Sequence, residues 1–255
     1  MIIQIYEIQT PAEAEIMTGL GVDQIGSVII SETEWKIPEV RETLNVVRST
    51  SAKSSLIPLF NTTDSVLRTL DYYQPDIIHF CEALVDQRDV RPYCRQLIEL
   101  QEDVKKRYPQ VKIMRSIPIA QPGKDHSVPT LEFGKAFEPY SDYFLTDTVL
   151  ADQSGVVDDS QPVQGFVGIT GQTCNWDTAA SLVGSSRIPV ILAGGISPAN
   201  VCDGITRVRP AGVDSCTLTN AQDENGHPIR FRKDPVKVRQ LIDAVRKTES
   251  AGLES

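Results

Sequence analysis

The chain has little of what several large protein classes need. Its five cysteines, Cys81, Cys94, Cys174, Cys202 and Cys216, are scattered over 255 residues with no CxxC pair. An odd and scattered set does not read as a disulfide framework and fits a reducing cytoplasm. Its three histidines, His79, His126 and His227, stand in unrelated contexts, whereas a metal-dependent barrel enzyme needs several inward His and Asp ligands, so no metal and no cofactor is expected. No apolar run approaches the roughly 20 residues of a membrane helix. The opening MIIQIYEIQT lacks a basic stretch before its apolar residues and breaks at Glu7, as a strand does and a signal peptide does not. Positive charge is also short. With a formal net charge of -9 and a pI near 4.9, the overall field repels nucleic acid and anionic membranes, so any phosphate site must be made locally from backbone amides or a few cations.

What is present is a rhythm. Short Ile- and Val-rich runs alternate with longer stretches of helical spacing, the pattern of βα units around a parallel sheet. The strand candidates are IIQIYEI from Ile2, QIGSVII from Gln24, SLIPLF from Ser55, DIIHFC from Asp76, VKIMRSI from Val111, DYFLTD from Asp142, IPVILAG from Ile188 and GVDSCTL from Gly212. Thr10 and Pro11 give one helix start, Ser197 and Pro198 another, and Asp234 caps the last. Eight such units close into a (β/α)₈ barrel more readily than into a doubly wound open sheet, which has five or six strands. The expectation is one domain over residues 1–247, with residues 248–255 as a frayed polar tail. QPGKDHSV from Gln121, ADQSGVVDDSQPVQ from Ala151 and NAQDENGHPIRFRK from Asn220 read as loops.

Three motifs carry possible chemistry. VILAGGISPANV ends a buried strand on Gly194 and Gly195 and then opens a helix. An isolated glycine pair more often only turns the chain, but after the seventh of eight barrel strands it sits where phosphate sites form. DYFLTDT puts Asp147 at the carboxyl end of the sixth strand, as a general acid or as a capping aspartate. GFVGITGQTCNWD supplies Gly168, Thr170 and Gly171 before Trp176, with no GK[ST] to make it a P-loop.

Taken together, these residues resemble the phosphoribosylanthranilate isomerase family, barrel enzymes of tryptophan biosynthesis that convert an aminoaldose into an aminoketose. LAGGISPANV is similar to that family's AGG-x-x-P-x-NV, GITGQTCNW to its GGTG-x-x-FDW, GVDQIGSVI to its GAD-x-IGFVF and AGVDSCT to its GVDVSSGVE. The resemblance implies that Asp147 is the general acid. It also implies a phosphate site at Gly194, Gly195, Thr217 and Leu218, substrate contacts from Arg115, Gly168, Thr170, Gly171 and His79, and a small phosphorylated metabolite as partner of a cytoplasmic monomer or homodimer. There are departures. The family opens KICGIT, whose cysteine is the base; here QIYEIQ puts Tyr6 in its place. A phenol is a poor substitute for a thiolate. Glu7 is the other candidate, but strand alternation turns it to the opposite face unless the strand has ended by then; Glu82 comes next. The arginine after the second strand is missing, with only Lys36 nearby, the fourth-strand QLHG reads HFCE, and Leu218 replaces a glycine. Two readings stay open: the isomerase, or a divergent paralogue that binds or transforms another phosphorylated metabolite.

Overall fold

The computed structural model describes residues 1–84, 90–124, 128–150, 157 and 160–253. His126 and most of the 151–159 loop lie outside them. Eight parallel strands, β1 (Ile2–Ile5), β2 (Gln24–Ile29), β3 (Lys53–Pro58), β4 (Ile77–Phe80), β5 (Lys112–Ala120), β6 (Tyr143–Val149), β7 (Val190–Leu192) and β8 (Gly212–Ser215), form a closed barrel in sequence order. It closes where β1 pairs with β8, from Ile2 opposite Gly212 to Ile5 opposite Ser215. The helices between are α1 (Pro11–Leu20), α2 (Pro38–Arg48), α3 (Thr63–Tyr73), α4 (Val90–Arg107), α5 (Thr130–Phe137), α6 (Trp176–Ser185) and α7 (Val201–Val208), and α8 (Pro235–Leu253) follows β8. None of the described helices is long and apolar enough to cross a membrane.

Local chemistry accounts for the boundaries. Thr10 caps α1 by accepting from the Glu13 amide at 3.3 Å, and Asn175 caps α6 by accepting from the amides of Asp177 and Thr178 at 2.9 Å. Asp234 caps α8 through the Val236 amide at 2.9 Å. The start of α7 differs from expectation: it begins at Val201, not at Pro198. The side chain of Asn200 folds back, accepting from the Ser197 amide and donating to the Gly195 carbonyl, both at 2.8 Å. Residues 197–200 are therefore a braced turn that fixes the loop after β7.

Two segments read as irregular are ordered. The stretch after β8 contains a hairpin, β9 (Asn220–Gln222) and β10 (Pro228–Lys233). Asp223 makes the turn by accepting from the amides of Asn225 and His227, with Gly226 at φ 83°. The expected tail is instead helical as far as Leu253, because Glu249 binds the Met1 amino group and Arg246, and Arg246 also reaches Asp23 at 3.1 Å.

Strand alternation divides the core into an interior and an outer shell. On β5, Met114 and Ser116 face inward to Tyr6 and His79, while Arg115 faces out. Arg115 was expected to touch substrate; it is instead fully buried between the rings of Phe80 and Phe137, donating to Gln101 Oε1 at 2.8 Å and paired with Glu82. Glu82 is turned outward for the same reason and is no candidate base. The pair ties β4 and β5 to α4. Removing one partner of a buried ion pair costs about 3–5 kcal/mol. Glu82→Ala should lower the melting temperature by roughly 10 °C, and a shift under about 2 °C in a thermal melt would show that the pair is not structural.

Candidate active site

The carboxyl ends of the strands enclose a cleft with two lobes. One has walls of Val28, Ile57, Leu59, Leu145, Phe166 and Val167, with Tyr6, Glu7, His79 and Arg230 among its polar groups. The other is lined by Thr170, Gly171, Gly194, Gly195, Thr217 and Leu218. Asp147, Ile169, Asp214 and Cys216 line both.

The second lobe is a cradle of backbone. Gly171, Gly194 and Gly195 all have positive φ, at 64°, 84° and 65°, where a side chain is strained. Space is the second constraint. A Cβ on Gly195 would stand 2.5 Å from the Gln172 carbonyl carbon, and one on Gly194 would stand 2.4 Å from Thr148 Oγ1. Thr148 in turn donates to the Gln172 carbonyl at 2.6 Å. The two glycine loops therefore pack against each other. All of Gly194, Gly195, Thr217, Leu218, Thr170 and Gly171, expected from sequence to bind ligand, are brought together here; Gly168 stands beside Asp147, where its missing Cβ leaves room for Oδ2.

Asp147 projects from the end of β6 into the junction of the lobes. Burial pushes its carboxyl up to about 7, against the opposing pull of the Thr148 amide, which donates to Oδ1 at 2.9 Å. Asp214, on β8, is pushed up to about 8, chiefly by burial and then by the charge of Asp147, with a hydrogen bond from Gln4 at 3.2 Å pulling the other way. Both are thus poised to hold a proton near neutrality. Asp214 was not singled out from sequence, although its place in GVDSCT was visible.

The first strand resolves differently from simple alternation. It ends at Ile5, and Glu7 takes a left-handed backbone, φ 64°, which swings its side chain into the mouth. Glu7 stands at the position of the glycine in KICGIT, the residue to which that conformation comes naturally. Its carboxylate is buried, with Oε1 held by Arg230 Nε at 2.5 Å and Oε2 without a partner among the described residues. Tyr6 packs its ring against Gly26, and its hydroxyl bonds Ser55 at 2.6 Å and His79 Nδ1 at 2.7 Å. Burial pushes that phenol well above its ordinary value, so Tyr6 is a neutral floor to the cleft and not a base. His79 lies 2% exposed with Nε2 on Ser116 at 2.8 Å, and burial lowers it to about 3, helped by the charge of Arg115. Both ring nitrogens are engaged within the barrel, which leaves it no free group for substrate.

Arg230 was missed because its segment read as a loop; the DENGH turn was the available signal. Among the described residues no cluster of His, Cys, Asp and Glu could hold a metal ion.

The family described as N-(5'-phosphoribosyl)anthranilate (PRA) isomerase matches residues 126–218, a span holding Asp147 and the motifs that line the glycine cradle. The enzyme of that name from Methanothrix thermoacetophila is 29% identical over 92% of both chains, and that from Methanocella arvoryzae 27% over 94% of this chain and 95% of the relative. The chain is thus similar to the phosphoribosylanthranilate isomerases over most of its length. The fold agrees: the structure of the Thermotoga maritima phosphoribosylanthranilate isomerase superposes with a TM-score of 0.63 at 17% identity, covering 97% of this chain and all of that one. The Pyrococcus furiosus enzyme gives 0.63 at 18% over 97% and 99%. Against that family's pattern, the departure that matters is a carboxylate, Glu7, in the mouth beside the position of the usual thiol.

The raised pKa of Asp147 sets a pH dependence. In the unfolded chain the group releases its proton near pH 4, whereas the folded state keeps it to about 7, so stability falls as pH rises between these values. Asp147→Asn removes this cost. Its melting temperature relative to the native protein should rise by roughly 5 °C between pH 5.5 and 8; a pH-independent difference between the two would contradict the assignment.

Proposed function

We propose that the protein isomerises N-(5'-phosphoribosyl)anthranilate to the corresponding 1-amino-1-deoxyribulose phosphate, in tryptophan biosynthesis. The observation that carries this reading is a pair of carboxyl groups, Asp147 and Glu7, lining one lobe whose neighbour is a glycine cradle. The phosphate end sits against the backbone of Gly171, Gly194 and Gly195, with Thr217 and Leu218 closing the rim, and the aromatic end enters the apolar lobe.

The chemistry then begins with two proton transfers by these side chains. Protonated Asp147 gives its proton to the ribose ring oxygen while the nitrogen lone pair forms C1=N and the ring C1–O bond breaks. Glu7 takes the C2 proton, and the C2–H electrons form C1=C2 as the iminium is neutralised. Protonation at C1 and loss of the hydroxyl proton at C2 give the ketone, so no atom is gained or lost. The dry mouth suits an acid, because burial raises Asp147 to about 7, and Arg230 holds the Glu7 side chain in place beside it. Gly168 leaves the space in which Asp147 moves its proton. Asp214, within the same mouth, is placed to hydrogen-bond the substrate's nitrogen or hydroxyls. The same reading makes the protein cytoplasmic, monomeric or dimeric, and independent of metal.

The fluorescence of phosphoribosylanthranilate should decay on adding the purified protein, and the gene should rescue a tryptophan auxotroph lacking this step. Absence of both would favour a paralogue acting on another phosphorylated metabolite.

A further inference from the structure

We infer that Arg230 is a bridging residue: its Nε side holds Glu7, and its Nη2, without a partner among the described residues, takes an acidic group on the apolar end of the ligand. This rests on the two-lobed reading above.

The hairpin is built to deliver this side chain. Between Pro228 and Lys233 its register slips against β9, and Phe231 is forced to φ 62°. Bulges beside active sites re-aim side chains, and a left-handed phenylalanine is a strain kept only where the surroundings fix it. The guanidinium stands 4.6 Å from the Phe231 ring centroid, with Nε on Glu7. Nη2 is shielded from solvent and has no partner among the described residues. A buried donor without a partner is costly, and here it lines a lobe whose apolar side is formed by Val28, Ile57, Leu59 and Phe166 and whose inner end carries Asp147 and Asp214. With Nε spent on Glu7, the remaining Nη2 donor at the edge of an apolar slot suits a single charge-assisted hydrogen bond to a carboxylate carried on a flat hydrophobic body. The same guanidinium then touches both the base and the ligand, so one residue aligns the C2 proton acceptor with the bound substrate.

The test compares two ligands within each variant, so that any general loosening from disturbing Glu7 cancels. The first is reduced 1-(o-carboxyphenylamino)-1-deoxyribulose 5-phosphate, the compound bound in a solved phosphoribosylanthranilate isomerase; the second is the same molecule without its carboxyl group. Titration calorimetry should show the native protein preferring the first by about tenfold or more. Arg230→Gln should reduce that preference to within about twofold, and Arg230→Lys should keep part of it. Glu7→Gln combined with Arg230→Gln, which leaves no buried unpaired charge, guards against misfolding and should also lose the preference. Tight binding of both ligands with the preference intact in these variants overturns the role of Arg230 alone. Failure of the native protein to bind either compound overturns the functional reading and the assignment with it.

Discussion

Closure of the barrel between β1 and β8 is the constraint on which the site depends. The two strands run in parallel with Ile2 against Gly212, so close that a Cβ on that glycine would come 2.7 Å from the Ile2 carbonyl oxygen. This contact brings the first seven residues of the chain against its last third. Gln4 thereby meets Asp214, and Glu7 meets Arg230, 223 positions away. Neither half of the mouth exists without the other.

A second constraint is dryness. The groups at the strand ends are pressed between Phe166, Val167 and the barrel floor made by Tyr6 and His79. Withdrawal from water is the first cause of the shifts in Asp147, Asp214, Tyr6 and His79 alike, and it acts on each in the direction of neutrality. Glu7 retains a cation as direct partner. The mouth therefore holds carboxyl groups raised by burial on β6 and β8 opposite an ion-paired carboxyl group after β1, three groups of one chemical type set apart by their environments.

The strands and the cradle were legible because their signals are local: apolar runs, capping residues, glycine pairs at a strand end. Glu7 was legible only as one of two candidates, since period-two alternation turns it outward unless the strand has ended; β1 does end at Ile5, and the left-handed backbone of Glu7 itself places the side chain in the mouth. Alternation also decides the opposite error at Arg115, which stands one position out of phase with the inward Met114 and Ser116 and is held in the outer shell by Glu82, Gln101 and two aromatic rings. His79 does face inward, yet the hydroxyls of Tyr6 and Ser116, from two other strands, occupy it. Arg230 and the end of α8 depend on contacts more than 200 residues apart in sequence, which no local pattern reveals.

In the proposed reaction a carboxylate after β1 does the proton abstraction for which the resembled family uses a thiol. The most direct measurement is the turnover number of Glu7→Gln at saturating phosphoribosylanthranilate, relative to the native protein. A base at Glu7 requires a fall of at least about a hundredfold with the fold retained. Turnover within a few-fold of the native value would contradict it and move the base elsewhere in the mouth.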